Sequence, residues 1–231
     1  MALTDNLVAY YKLDSNSNDS HGTNHGTDTN ISYTTGVLTN AADFNGTTSY
    51  IDCGTGIDLG ATKFTMNFWY YPNVTYPDSQ YRLACAKDAV GDRQFAFGFA
   101  DNGKCYFERA GTAILGGAGS GSVITAGQFS MVTIYFDASN LYTRINDTAN
   151  TGPTAMTALV AEGGSFTLGK RVNGGIFMKG RLDGFGVWTR DLTAAEITEL
   201  YNAGAGLEYP FSSGSAPLFP RGHMTLNKFI G

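Results

Sequence analysis

Asp183 is the residue of this chain whose type and position most clearly suggest chemistry. It stands in residues 180–188, where apolar residues alternate with small or polar ones as in a β-strand. Because successive side chains of a strand point to opposite faces, the alternation predicts that Asp183 shares the apolar face with Phe185 and Val187. A buried carboxylate without a partner is costly. No Lys, Arg or His lies on that face within the segment, so two interpretations remain open: a bound hard cation, or backbone N–H groups that donate to the carboxylate.

The composition favours an all-β protein and excludes several classes of partner. The 231 residues include 30 Gly, 13 Tyr and 15 Phe but only 15% charged residues, as in strand-rich and turn-rich domains. The net charge of −5 and the lack of a Lys/Arg cluster argue against nucleic acid or an anionic membrane as the main partner. No apolar window is long enough for a membrane-spanning helix, so we expect no membrane insertion. The three cysteines are expected to be reduced and packed as small hydrophobic residues.

Period-2 alternation recurs along most of the chain and predicts many short strands. It is clear in residues 64–70, and it predicts hairpins over residues 131–145 and 95–107. Only one convincing helix is indicated, where Thr193 and Glu196 form a capping box before an apolar stripe. Many short strands separated by turn signals predict a β-sandwich, with one short C-terminal helix lying against it.

The last 20 residues differ in composition from the rest. Residues 212–224 are rich in Ser, Gly and Pro, and the few apolar residues up to residue 231 are too sparse to form a core. The sequence therefore predicts one domain over residues 1–211 and a flexible tail or assembly arm over residues 212–231. An expression origin for part of the tail, around residues 220–224, stays open as an alternative.

Several blocks of the sequence carry a family likeness. Seven blocks resemble, in this order, a laminin-G-like domain of the concanavalin A-like lectin/glucanase superfamily: residues 8–14, 18–22, 24–27, 42–51, 64–72, 180–201 and 206–211. The likeness spans residues 7–211, and the closing block is similar to that of phage and environmental versions. It implies a jelly-roll sandwich of two antiparallel sheets, in a family that often holds a structural calcium ion and often binds carbohydrate.

The resemblance also implies a metal site. By that likeness Asp183, in the Gly-x-Leu-Asp block, is a calcium ligand, and the loop that contains Asp19 joins it. Two alternatives stay open. Asp19 could instead be a solvated turn residue that accepts hydrogen bonds from its own backbone, and calcium could be held mostly by backbone carbonyls.

A binding module of this kind needs aromatic surface for sugar C–H groups and polar groups for hydroxyls. Five residues in turn-rich segments are predicted to supply them: Tyr76, Tyr81, Arg82, Arg93 and Asn173. The alternative is that these loop tyrosines pack as lids over the core.

No catalytic residues are predicted. The hydrolases of this superfamily carry Glu-x-Asp-x-x-Glu on one strand, and the five glutamates of this chain offer no such pair. The three histidines lie in a polar loop and in the tail, which does not suggest a nucleophile–base pair. We therefore expect a non-enzymatic protein. The alternatives are a purely structural decoration or interaction module without a sugar ligand and, less favoured, a glycoside hydrolase.

The start of the chain shows no basic, apolar and small-residue pattern of a secretion signal. Together with the phage-like ending, this predicts a virion surface protein, a capsid decoration or tail adhesin made in the host cytoplasm. The expected partners are a cell-surface or extracellular glycan and other virion proteins, the latter bound through the tail. Association with further copies of this chain, as a homo-oligomer, stays open.

Overall fold

In a computed structural model the protein is described over residues 1–60, 63–76, 78, 80, 82–89, 92–115, 123–160, 163–171 and 175–211. The side chains of residues 88, 89, 92 and 93 are not part of this description. Residues 212–231, the predicted assembly arm, also lie outside the described residues. The division of the chain at residue 211 therefore stays a prediction.

The described residues form antiparallel strands and one α-helix, numbered here in chain order. They are β1 (Leu7–Tyr11), β2 (Thr27–Thr29), β3 (Ser32–Thr35), β4 (Asn40–Asn45), β5 (Tyr50–Asp52), β6 (Phe64–Pro72), β7 (Arg82–Ala89), β8 (Asp92–Phe99), β9 (Cys105–Arg109), β10 (Thr112–Leu115), β11 (Ser130–Phe136), β12 (Asn140–Ile145), β13 (Thr151–Ala155), β14 (Ser165–Leu168), β15 (Lys179–Trp188) and α1 (Ala194–Tyr201). A 3-10 turn, Asn202–Gly204, follows α1.

The strands build two sheets that pack face to face as a jelly-roll sandwich, which confirms the predicted fold. The eight-stranded sheet has the order β13-β12-β11-β6-β15-β4-β3, with β1 also paired to β15. The seven-stranded sheet has the order β10-β9-β8-β7-β14-β5-β2. Both predicted hairpins are present, as β11–β12 and β8–β9.

The main core lies between the two sheets. Alternate residues of β6 enter it, namely Phe64, Met66, Phe68 and Tyr70, as the sequence predicts. Phe95, Phe97 and Phe99 of β8 meet them from the other sheet, and Phe68 packs against Phe97 with ring centroids 6.0 Å apart. All three cysteines are buried and free, which confirms that expectation. Burial of each such aromatic side chain contributes about 1.5–3 kcal/mol to stability.

A second apolar layer covers the outer face of the eight-stranded sheet. Trp69 and Trp188 face outward from the sheet into this layer, and α1 and both ends of the described chain complete it. The predicted capping box is present, because the Thr193 side chain accepts from the Glu196 backbone N–H and the Glu196 carboxylate accepts from the Thr193 N–H. The helix ends at Tyr201, and its C-cap residue, Asn202, has a left-handed conformation. No helix of the described residues is long and apolar enough to cross a membrane.

Candidate functional site

A β-bulge in β15 decides where Asp183 points. Against β6, Asp183 lies opposite Trp69 and Gly186 lies opposite Asn67, so β15 has one more residue than its partner between these pairs. Gly184 takes up the extra residue with a φ of +59°, a conformation that favours glycine. Phe185 consequently enters the inter-sheet core, while Asp183 faces the outer layer. The prediction that Asp183 shares the face of Phe185 and Val187 is therefore wrong, because the bulge resets the alternation.

The Asp183 carboxylate is buried and only half satisfied. Its Oδ2 accepts hydrogen bonds from the backbone N–H groups of Val37 and Leu38, at 2.7 and 2.9 Å. Its Oδ1 is buried and has no hydrogen-bond partner. Gly36 permits this close approach, since a Cβ there would stand 2.3 Å from Oδ2. The alternative of backbone N–H donors is thus realised for one oxygen, and the other oxygen remains to be explained.

Two further carboxylates belong to the surroundings of Asp183, and we call Asp14, Asp183 and Glu208 the acidic site. Burial raises the pKa of Asp183 to about 7; the two N–H donors oppose the rise, and the negative charges of Asp14 and Glu208 add to it. Burial also raises the pKa of the Tyr10 hydroxyl, and the same three carboxylates reinforce that shift. The charges of Asp14 and Glu208 therefore act on Asp183, and the charges of all three carboxylates act on Tyr10.

Each of the other two carboxylates has a partner of its own. Glu208 accepts from the Lys12 ammonium through Oε2, at 2.9 Å, while its Oε1 is buried without a hydrogen-bond partner. Asp14 accepts from the Asn40 N–H at 3.0 Å. A surface cavity of about 320 Å³ opens beside Lys12 and Asp14. Among the described residues, no three His, Cys, Asp or Glu side chains are grouped so that they could hold an ion by themselves.

Asp19, the second predicted metal ligand, holds its own loop together. Its Oδ1 accepts from the N–H groups of Tyr10 and His21, at 3.1 and 3.0 Å, and its Oδ2 accepts from that of Asn24, at 3.1 Å. The backbone donors at His21 and Asn24 agree with the alternative interpretation, but Asp19 is only 5% exposed and is therefore not a solvated turn residue. The role of Asp19 as a metal ligand stays a prediction.

Two of the predicted sugar-binding residues, Tyr76 and Arg82, are described, and the structure brings them together. Arg82 is 7% exposed and forms an ion pair with Asp78, with Nε 2.5 Å from Oδ2. Tyr76 is half-buried against the inter-sheet core, with its ring beside Gly103. Both side chains therefore pack within the fold, as the lid alternative expects, and their role in binding stays a prediction.

The remaining predicted binding residues fall outside what can be described. Tyr81 and Asn173 lie outside the described residues, and Arg93 is placed only through its backbone in β8, opposite Asp88. The segments themselves do converge. The Arg82 guanidinium donates to the carbonyl of Phe177 at 3.5 Å, which links the start of β7 to the loop between β14 and β15.

A polar cluster that the sequence did not indicate lies beside this junction. Glu108 accepts from the Tyr106 hydroxyl at 2.8 Å and from an Arg171 guanidinium N–H at 2.5 Å. Because Phe107 enters the inter-sheet core, its neighbours Tyr106 and Glu108 face outward from the seven-stranded sheet. The Nε of Arg171 is buried without a partner. Alternation in β9 could have placed Glu108 on this face, but no local signal brings Arg171 to it.

A model of the concanavalin A-like lectin/glucanases superfamily matches residues 45–198 of the chain. No curated protein sequence matches it significantly. Among solved structures, domain 4 of AbnA, a GH43 extracellular arabinanase from Geobacillus stearothermophilus in complex with arabinotriose, is 19% identical with a TM-score of 0.62. That match covers 84% of this chain and 97% of that domain.

Two other solved structures share the fold over part of their length. The binding domain of Paraclostridial Mosquitocidal Protein 1 is 17% identical with a TM-score of 0.67, over 88% of this chain and 53% of that one. A Trypanosoma rangeli sialidase mutant with trans-sialidase activity is 12% identical with a TM-score of 0.66, over 89% of this chain and 34% of that one. At these identities the likeness establishes the fold alone.

Proposed function

Because the chain belongs to the concanavalin A-like lectin/glucanase superfamily, we propose that it is a non-catalytic carbohydrate-binding protein. The observation that carries this proposal is the match to the arabinanase domain, which was solved with arabinotriose and is covered over 97% of its length. The sialidases, in contrast, are covered over only about a third of their length, so the likeness extends to one part of those enzymes.

We assign the binding surface to the outer face of the seven-stranded sheet, at the junction of the Tyr106–Glu108–Arg171 cluster with the loop at Ile176. A carboxylate and a guanidinium held side by side offer acceptors and donors to neighbouring sugar hydroxyls, and the Tyr106 ring offers a surface for C–H groups. Arg82, one of the predicted binding residues, would then support the surface through its hydrogen bond to the Phe177 carbonyl.

The surroundings of the glutamates support a non-catalytic role. Hydrolysis by a retaining mechanism needs two carboxylates about 5 Å apart, one of them free to act as a nucleophile. Glu108 is engaged with Tyr106 and Arg171, and Glu196 is engaged with Arg190 at the start of α1.

We further propose a structural calcium ion at Asp183. The residues present fit such an ion, because a fully buried carboxylate oxygen without a hydrogen-bond partner is an available ligand for a hard cation. The ion would neutralise the acidic site and so stabilise the outer layer. Asp19 stays the second predicted ligand.

The setting proposed for this protein is the surface of a virion, after synthesis in the host cytoplasm. It rests on the phage-like closing block and on the composition of residues 212–231, which we propose to bind other virion proteins. The competing function is a structural decoration module without a sugar ligand.

A glycan array followed by calorimetry tests the proposal. We expect the protein to bind at least one glycan class, and Arg171→Ala to weaken that binding about tenfold or more, as loss of a charge-assisted hydrogen bond does. Arg181→Ala is the matched control, because Arg181 lies on the other sheet, over the Tyr71 ring. Binding to no glycan would favour the structural module, and release of reducing sugar would favour an enzyme.

A further inference from the structure

We propose that Glu208 joins Asp183 in binding the cation, which thereby latches the closing segment, residues 205–211, onto the outer layer. This inference builds on the calcium proposed at Asp183 and is independent of glycan binding. It assigns a ligand that the sequence did not indicate, since Glu208 lies in a turn after the last helix.

The first ground is that two carboxylate oxygens of one small region are left unsatisfied together. Asp183 Oδ1 and Glu208 Oε1 are both buried, and neither has a hydrogen-bond partner. Buried polar atoms are almost always paired, and two unpaired acceptors from residues that repel each other call for a shared positive partner. Lys12 does not meet this need, because its ammonium donates to the other oxygen of Glu208.

The second ground is the chemistry of the available donors. Two carboxylates supply hard, anionic oxygens, which calcium prefers among protein ligands. The Tyr10 hydroxyl lies beside β15, since a Cβ at Gly184 would stand 2.8 Å from it, and the Tyr10 ring packs against that of Tyr209, the neighbour of Glu208. Since no three acidic side chains are grouped to hold an ion among the described residues, the rest of the coordination would come from main-chain carbonyls, this hydroxyl or water.

The closing segment is positioned for a latch. Tyr209 and Phe211 pack on the Tyr10 ring with centroids 5.8 and 5.2 Å away, and Tyr209 also meets the His21 ring at 5.6 Å. The Phe211 N–H donates to the Glu208 carbonyl at 2.7 Å, which closes the turn. Most of the other contacts of this segment are apolar, such as that of Phe211 with Trp188. An ion held between β15 and Glu208 would add an ionic link to them.

A shared proton is the competing explanation for the two unpaired oxygens. A protonated Asp183 could donate to Glu208 and satisfy both atoms without a metal. The two explanations predict different effects of a chelator. A chelator leaves a shared proton in place, whereas it removes the ion on which the latch depends.

The test uses the full chain, stripped with chelator and then titrated with calcium by calorimetry. We expect the melting temperature to rise by several degrees on calcium binding, because the ion binds only the folded state. Glu208→Gln should weaken calcium binding at least tenfold. Its control is Glu199→Gln, an exposed glutamate on α1 that should bind calcium like the wild type. Limited proteolysis should cut the closing segment faster without calcium.

Three outcomes would overturn the latch. One is a wild-type protein whose melting curve and calorimetric trace do not respond to calcium. Another is a Glu208→Gln variant that binds calcium with wild-type affinity, which would leave Asp183 with other partners. The third concerns Asp183→Asn, a variant that can keep both backbone N–H bonds. If it melts at a higher temperature than the wild type both in chelator and in calcium, the result agrees with a shared proton and contradicts the latch. A failure of glycan binding alone would leave the latch unaffected.

Discussion

Gly184→Ala tests whether the bulge of β15 positions Asp183. An alanine at this position would adopt a φ of +59°, at a cost of roughly 1–2 kcal/mol for the left-handed backbone. Its Cβ would also stand 2.5 Å from Leu38 Cδ1 and 2.8 Å from the Tyr10 hydroxyl oxygen. Overpacking of this kind costs about 1–3 kcal/mol. We therefore expect a total loss of roughly 2–5 kcal/mol in the free energy of unfolding.

Gly54→Ala is the matched control. Gly54 also has a positive φ, +68°, but a Cβ there would meet no atom within 4 Å. This variant should show the backbone cost alone, about 1–2 kcal/mol. The difference between the two variants then isolates the crowding at Leu38 and Tyr10.

Urea unfolding followed by tryptophan fluorescence measures both variants. With a slope of about 1–3 kcal/mol per molar urea, the extra loss in Gly184→Ala should lower its midpoint by roughly 1 M relative to Gly54→Ala. Calcium binding should weaken in Gly184→Ala and not in Gly54→Ala. Equal midpoints for the two variants would refute the argument, since the outer layer would then yield to the added methyl group without cost.

Three further expectations concern charge, and one concerns activity. Burial raises the pKa of Glu196, but hydrogen bonds from Arg190 and Thr193 outweigh it and lower this pKa from 4.5 to about 2. About 3 kcal/mol of stability should therefore be lost as the pH falls through this interval, as measured by melting curves at a series of pH values. Asp183 acts in the opposite sense, because its pKa is raised. In chelator, stability should fall by a few kcal/mol as the pH rises from about 4 to about 7 and should then level off. A stability that does not change with pH over this range would contradict the prediction. Asp19→Ala should cost about 1–3 kcal/mol by leaving backbone donors unpaired, and an unchanged calcium affinity of this variant in calorimetry would contradict the prediction that Asp19 is a metal ligand. No polysaccharide should release reducing sugar on incubation with the protein, and activity lost in a Glu108 variant would contradict that.

The fold was predictable because its signals are local. The alternation in β6 depends only on side chains two residues apart, and the hairpin of β11 and β12 depends on one turn between two apolar runs. The capping box of α1 is likewise contained within four residues, Thr193 to Glu196. Each of these elements can be read without knowing what packs against it.

The site was less predictable because the one extra residue of a β-bulge reverses the face to which every later side chain of the strand points. Alternation counted back from Phe185 assigns Asp183 to the inter-sheet core, whereas Gly184 adds a residue and sends it to the outer layer. The pair Gly184 and Gly186 was the available signal, since glycine inside a strand often marks a bulge. The bulge would have been predicted if Leu182 and Phe185, which are three positions apart, had both been assigned to the inter-sheet core.

The partners of Asp183 carry no local signal at all. Its N–H donors at Val37 and Leu38 are 146 and 145 residues away, and the ion pair of Lys12 with Glu208 spans 196 residues. The pair of Lys12 with Glu208 forms only when both ends of the described chain, residues 1–211, have closed over the eight-stranded sheet. A cation at Asp183 and Glu208 would thus bind the completed outer layer and not its separate segments. Calcium affinity then reports on the closure of the whole domain, and any variant that loosens either chain end should weaken calcium binding without altering a ligand.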